Sequence, residues 1–273
     1  MKLPRIAITG SSGFLGTHFL KRVKANYYLY NKGGLISGII DYNPEYIYHF
    51  AAEIYNEDDM FLSNVVLTKE LLEASRSISN LKAFIYVGSS SEYGRKTKPM
   101  KETDFLDPTT MYEATKGAGT LLCQAFAKSC GVPVVIARPF SLYGEFEPKH
   151  RFIPTIIKSI YPLTKKRTLL KVSPGVHDFI HIDDFIDGLL MLAENPQPGE
   201  IYNFGTGVQT SNEELVKLIE KIVGRKTHKQ IIPPLHAYDS DSWVADNTKA
   251  KKLGWTARSL EDGLKQVINR RAI

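Results

Sequence analysis

Tyr112 and Lys116 stand four residues apart in a run that reads as a helix from Thr110 to about Ser129, closed by Gly131. Within it Ala118, Leu121, Leu122, Ala125 and Phe126 recur at helical spacing. Residues four apart share a helix face, so a phenol and an ammonium can serve one site. An isolated tyrosine titrates near ~10, and a neighbouring positive charge favours its phenolate. A phenol tuned in this way can exchange a proton with an alcohol near neutral pH. The same spacing also occurs in helices that only divide surface from core, so the surrounding elements must decide.

Residues 5–9 form a short apolar strand that runs into Gly10-Ser11-Ser12-Gly13-Phe14-Leu15-Gly16. A helix follows from about Gly13 to Val23, with Phe14, Leu15, Phe19, Leu20 and Val23 inward. Strand, glycine-rich turn and helix start form the setting in which such glycines hold a dinucleotide. Gly10 permits the tight turn, Gly13 lets backbone approach a pyrophosphate, and Gly16 lets the helix pack close. The alternative is an ordinary strand–helix turn. A second strand, Tyr27 to Lys32, ends at Asn31-Lys32-Gly33-Gly34 without the acidic residue that would hold a ribose of NAD. Lys32 can instead meet a 2′-phosphate, which leans to NADP; a solvated turn lysine is the alternative.

A short helix, Ile36 to Asn43, and a strand, Tyr46 to Ala52, come next. Only about thirty residues separate Gly16 from that strand, so one strand–helix unit is trimmed. Asn64 to Ser75 reads as a helix, and Ala83 to Gly88 as a buried strand that stops at Ser89-Ser90-Ser91-Glu92-Tyr93-Gly94. Open α/β sheets place their sites at such carboxyl ends. A hydroxyl there can hold a substrate oxygen opposite Tyr112; a plain serine-rich loop is the alternative. After the strand Pro133 to Pro139 the alternation loosens. Helices are expected at Phe152–Ile160, Asp183–Ala193, Ser211–Val223 and Ser259–Ile268, and strands at Asp178–Ile182 and Ile201–Gly205. Ser211 and Glu214 form a capping box. The expected architecture is α/β: a doubly wound parallel sheet over 1–145, to which 178–205 returns. A smaller substrate-binding part covers 146–177 and 206–273.

The chain has 273 residues, 43% of them apolar and 23% charged, which is the balance of a globular protein. No apolar run approaches ~18 residues, so no membrane span is expected. The net charge of +6 is scattered, and Lys165-Lys166-Arg167 is its densest run. Without a basic stripe carrying aromatics, no nucleic-acid partner is expected; an anionic small ligand such as a nucleotide suits the mild excess. Cys123 and Cys130 fall about two helical turns, roughly 10 Å, apart, too far for a disulfide. No Cys/His cluster suggests a metal. Free thiols and an immediate first strand, which leaves no room for a leader, make the cytoplasm the expected location.

Taken together, the motifs resemble the extended short-chain dehydrogenase/reductase family, specifically its nucleotide-sugar epimerases, dehydratases and ketoreductases. Gly10-x-x-Gly13-x-x-Gly16 looks like its cofactor turn, and His49-Phe50-Ala51-Ala52 like its strand-four signature. Asn64 matches its helix-four asparagine, and Ser89, four before Tyr93-Gly94, its catalytic Ser/Thr. Tyr112 and Lys116 match its catalytic pair, and Arg138-Pro139-Phe140 its nicotinamide-side motif. His177 to Asp184, Tyr202 to Gly205 and Ala245 to Trp255 follow its C-terminal landmarks, so the resemblance covers essentially the whole chain. It implies a Rossmann fold binding NAD or NADP, with NADP favoured. It also implies hydride transfer at a sugar carbon, usually C4. Tyr112 would be the general acid/base, and Lys116 would lower its pKa and hold the nicotinamide ribose. Ser89 would hydrogen-bond the reacting oxygen, with Ser90 as the alternative. Ser12, Phe14 and Leu15 would join the three glycines at the cofactor, together with Lys32, Phe50, Ala51 and Ala52. Val87, Pro139 and Phe140 would complete that set. The subunits would pair as a homodimer through the Tyr112 helix and the 64–75 helix.

Departures from the family pattern narrow the reaction. The 4,6-dehydratases carry Asp-Glu after the catalytic Thr, where this chain has Ser90 and Ser91. The reductases that make GDP-fucose place a Cys where Ser91 stands. That leaves a 4-ketoreductase or a 4-epimerase, with the balance toward the reductase. Two arginines that relatives set on the nucleotide diphosphate are here His177 and His236. A neutral imidazole is a poorer phosphate clamp than guanidinium, and Arg151 can compensate. Ser141 and Trp243 would line the sugar nucleotide, with a core aromatic as the alternative for Trp243. Two other readings stay open: a catalytically silent NAD(P)-binding regulator, and a reductase of a non-nucleotide carbonyl.

Overall fold

The computed structural model describes residues 2–161, 169–234 and 242–271; Lys165-Lys166-Arg167 and His236 lie outside them. The chain order is β1 (Arg5–Thr9), α1 (Phe14–Arg22), β2 (Asn26–Tyr30), α2 (Ser37–Tyr42), β3 (Tyr46–His49) and α3 (Glu57–Phe61). A single π-helical turn, Leu62–Val66, joins α3 to α4 (Leu67–Ser75), and β4 (Ala83–Val87) ends in a short 3-10 turn, Ser90–Tyr93. Then come α5 (Met111–Cys130), β5 (Val134–Pro139), β6 (Ser141–Tyr143), α6 (Phe152–Ile160), β7 (Leu170–Val172) and β8 (Val176–His181). The rest is α7 (Ile182–Glu194), β9 (Ile201–Phe204), β10 (Gln209–Ser211), α8 (Asn212–Val223), β11 (Lys229–Ile231), α9 (Thr248–Lys252) and α10 (Leu260–Arg271).

Two compact units divide the chain. The first takes Met1–Gly94, Glu102–Pro139 and Ile186–Phe204. Its sheet has six parallel strands in the order β2-β1-β3-β4-β5-β9. β1 has β2 on one side and β3 on the other, so the chain changes direction across the sheet at β1. Such a switch leaves a crevice at the carboxyl ends of the strands. β4 and β5 are apolar and buried along nearly their whole length, as strands covered on both faces must be. Ala7, Ile47, Phe84, Tyr86, Val134 and Ile136 pack with Leu71 and Leu72 of α4 and Cys123 of α5. Alternation sends Tyr48 to the other face, where its ring meets Phe19 of α1 at 4.5 Å. The sheet is therefore doubly wound.

The second unit takes Arg95–Lys101, Phe140–Phe185 and Gly205–Ile273. Its core joins Tyr143, Phe179, Ile153, Ile156 and Ile157 with Leu215, Ile219 and Leu264. Here the division differs from the expected one. Residues 140–145 and 178–185 belong to this unit because β8 pairs with β6 and β10 in a separate three-stranded sheet. Residues 95–101 join it as well, since Met100 bridges to Ala245.

Candidate active site

The glycine turn comes directly off β1. Gly10 has φ +70, and a Cβ there would lie 2.6 Å from the Ala51 nitrogen. A side chain is thus excluded by both backbone geometry and the closeness of the β3 exit. The Gly13 N–H donates to the Gly10 carbonyl at 3.1 Å. α1 starts without a side-chain cap and without an acidic residue in its first turn. Its leading N–H groups are therefore available to an anion. Ser12 and Gly13 lie at the surface, Phe14 is half-buried, and Leu15 and Gly16 are buried. Phe50, Ala51 and Ala52 are half-buried beside this turn, and the Ala51 N–H donates to Thr9 Oγ1 at 3.2 Å. Lys32, past the end of β2, is largely exposed and pairs with Asp59 of α3 at 3.4 Å.

A buried polar chain connects this crevice to the tyrosine helix. Thr9 Oγ1 lies 2.6 Å from His49 Nδ1, and His49 Nε2 lies 2.9 Å from Thr68 Oγ1. Thr68 donates to the Asn64 carbonyl at 2.8 Å, and Asn64 Nδ2 donates to Thr115 Oγ1 at 3.0 Å. Burial holds His49 neutral, with its pKa lowered to about 3. Asn64 also exchanges two hydrogen bonds with the Glu53 backbone, at 2.8 and 2.9 Å. It sits in the π turn, where the extra backbone residue turns its amide toward Glu53 and Thr115.

α5 is placed by a capping box between Thr110 and Glu113, and ends at Gly131 with φ 68. Tyr112 lies half-buried in its first turn. Lys116, one turn on, is buried. Its ammonium donates to the Val87 carbonyl at 2.6 Å and lies 4.5 Å from the Tyr86 ring centroid. Burial lowers its pKa to about 8, while the charge of Glu92 pulls the other way. Ser89 caps the 3-10 turn: its Oγ accepts from the Ser91 N–H at 3.2 Å and lies 2.7 Å from Ser91 Oγ. Ser90 is buried. Ser89, Tyr112, Lys116 and the glycine turn therefore all belong to the first unit, as does Pro139 at the end of β5.

The remaining substrate-side residues belong to the second unit. Ser141 Oγ lies 3.4 Å from His177 Nδ1. Arg151 pairs with the buried Glu147 at 3.3 Å. The Trp243 N–H donates to Gln209 Oε1 at 3.4 Å. Phe140 is buried. The loops here converge on Asp178, a residue that spacing does not single out. Its carboxylate accepts from the N–H groups of Thr206, Gly207 and Ala245 at 2.7, 2.9 and 3.1 Å, and from the Thr206 hydroxyl at 2.6 Å. Among the described residues, no group of three or more His, Cys, Asp or Glu is placed to hold a metal, and no helix is long and apolar enough to cross a membrane.

Glu92, which ends the serine run one place late for the dehydratase Asp-Glu pair and has no role in the sequence alone, proves to be buried at the centre of this region. Its carboxylate is fully buried, 2.7 Å from Arg138 Nη2 and 2.7 Å from the Ser89 N–H nitrogen. The pattern Ser89-x-x-Glu92 was the available signal, since it is a capping box.

The chain belongs to the NAD dependent epimerase/dehydratase family, whose model matches residues 29–205. It is 33% identical over 208 residues to an uncharacterized UDP-glucose epimerase of Bacillus subtilis, covering 75% of this chain and 65% of that protein. It is 25% identical to a trifunctional UDP-glucose 4,6-dehydratase/UDP-4-keto-6-deoxy-D-glucose 3,5-epimerase/UDP-4-keto-L-rhamnose-reductase of Arabidopsis thaliana, over 98% of this chain and 47% of that one. The match thus spans less than two thirds of the first of these relatives and about half of the second. Among solved structures it is similar to a UDP-glucuronic acid 4-epimerase of Bacillus cereus in complex with UDP-glucuronic acid and NAD. The TM-score is 0.86 at 25% identity, covering 98% of this chain and 100% of that one.

Proposed function

We propose that this protein is an NAD(P)-dependent oxidoreductase acting at C4 of a nucleotide-linked sugar, with either epimerisation or reduction of a 4-ketone as the net outcome. The observation that carries the reading is the buried Lys116 ammonium, four residues after Tyr112 and 2.6 Å from the carbonyl of Val87, two residues before Ser89. The Gly10 cradle and the uncapped start of α1 fit a pyrophosphate. When bound, the nicotinamide supplies the hydride acceptor or donor. Tyr112 takes the proton from the C4 oxygen or returns it. Lys116, cationic below about 8, favours the phenolate of its neighbour. The Ser89 hydroxyl donates to the same oxygen, and Ser90 is the alternative donor. In the second unit the sugar nucleotide is assigned to Ser141, Arg151, His177 and Trp243. Water elimination is disfavoured because Glu92, the nearest carboxylate in sequence, is already bonded on both oxygens. The relatives' names support a UDP-linked substrate, and a homodimer through α4 and α5 belongs to the same reading.

The test is product mass and retention time after incubation with UDP- and dTDP-linked hexoses and their 4-keto-6-deoxy forms. NADH, NADPH and oxidised cofactor go in separate tubes. An isomer of unchanged mass with no net cofactor used marks an epimerase; a gain of two hydrogens with cofactor consumed marks a ketoreductase. No product in any tube sinks the proposal.

A further inference from the structure

We infer that Glu92 is a positioning residue, a buried knot that holds Ser89 in register with the Tyr112–Lys116 helix. One carboxylate oxygen accepts from the Ser89 N–H at 2.7 Å. The other accepts from Thr120 Oγ1 at 2.7 Å and from Arg138 Nε and Nη2 at 2.9 and 2.7 Å. These partners come from three elements: the exit of β4, α5 and the end of β5. Thr120 lies one turn beyond Lys116 and two beyond Tyr112, on the same helix face. The knot extends outward, because the Arg138 guanidinium lies 4.6 Å from the Tyr93 ring and Tyr93 donates to Asn203 of β9 at 2.7 Å. It is also crowded: a Cβ on Gly88 would come within 2.5 Å of Glu92 Oε1.

A buried ion pair is weak evidence of stabilisation, since an apolar pair of similar volume often serves the fold as well. A carboxylate that also takes the Ser89 amide and a hydroxyl of α5 does something an apolar pair cannot. It fixes the distance between two elements that carry reacting groups. Its charge acts on Lys116 too. That ammonium has the Val87 carbonyl, the Tyr86 ring, His49 and Cys123 as neighbours, and Glu92 is the carboxylate that favours its charged form.

The inference rests on Ser89, Tyr112 and Lys116 forming the reacting group, so the test carries readouts independent of turnover. The double variant E92M/R138M replaces the ion pair by an apolar pair. We expect its melting temperature to stay near that of the wild type. Its kcat should fall about 10- to 100-fold, as for misplacement of about an ångström, with KM and cofactor affinity within about threefold. The Lys116 Cε resonance, followed by NMR, should titrate at lower pH, and the Ser89 amide should lose its protection from exchange. Wild-type kcat, Lys116 titration and Ser89 protection in a folded double variant would overturn the inference. Should that variant not fold, T120V severs the link to α5 alone. A several-fold loss of kcat at unchanged KM supports the knot, and wild-type kcat overturns it. If the wild-type chain turns over no sugar nucleotide, the functional reading fails, and the two NMR readouts still decide whether Glu92 positions Ser89.

Discussion

Lys116 is an ammonium buried between α5 and the carboxyl end of β4, and its two close partners, the Val87 carbonyl and the Tyr86 ring, do not neutralise it. Burial therefore lowers its pKa from 10.5 to about 8. Turnover that depends on the Lys116 charge should decline as pH rises through about 8, and a pH–rate profile checks this. For stability the sign is opposite. Between about 8 and 10 the unfolded chain binds a proton on this residue that the folded chain does not, so this group's contribution rises with pH. Urea melts across that window should show the rise in the wild type and lose it in Lys116→Met. Tyr112→Phe should keep cofactor binding, measured by calorimetry, and lose about 10²–10⁴ in turnover; unchanged turnover would remove Tyr112 from its role. At this scale the sequence was legible where chemistry is local. The Tyr-x-x-x-Lys spacing and the serine run need only a helix and a strand end. Glu92 was not, because its partners Thr120 and Arg138 lie 28 and 46 residues away, and spacing says nothing about contacts of that range.

At the scale of elements, the helix read from Asn64 to Ser75 proves to be the end of a longer helical run that starts at Glu57. Asn56 caps that start, its side chain accepting from the Asp58 N–H at 3.2 Å. The π turn within the run was invisible to periodicity because it exists for Asn64, whose amide must reach both Glu53 and Thr115. Asn64→Ala should orphan those groups and cost about 1–3 kcal/mol, read by urea melting, with faster exchange at the Glu53 amide. A melt unchanged from wild type would mean the turn holds without its asparagine. The strands β7, β10 and β11 have three residues each, too short for alternation to register. β2 ends at Tyr30, two residues before the expected end, and Lys32 follows in a turn beside Asp59.

For the whole molecule, the alternation of strand and helix over the first 139 residues made the doubly wound sheet predictable, whereas the division into units was harder to read. Segments 140–145 and 178–185 look like continuations of that alternation, and pairing among β6, β8 and β10 claims them for the second unit. Phe61, Leu62 and Leu121 are more than half exposed on α3, the π turn and α5. α3 and the π turn both lie against α5, and a contiguous exposed apolar patch is what marks an interaction surface. The expected homodimer should therefore weaken in Leu121→Glu, with light scattering showing a smaller species at equal concentration. Indistinguishable scattering would place any pairing elsewhere.

The strand order of the large sheet also sets a timetable for synthesis. β5 pairs on one side with β4, made just before it, but its other neighbour is β9, roughly sixty residues later in the chain. At ~5–20 residues per second the ribosome leaves that flank of β5 unpaired for several seconds. During that interval the nascent chain carries an apolar strand edge open to any other extended segment. A stop or a slow codon between 140 and 200 should thus send this protein to chaperones and inclusion bodies more readily than one after Phe204, when the last strand can close the edge.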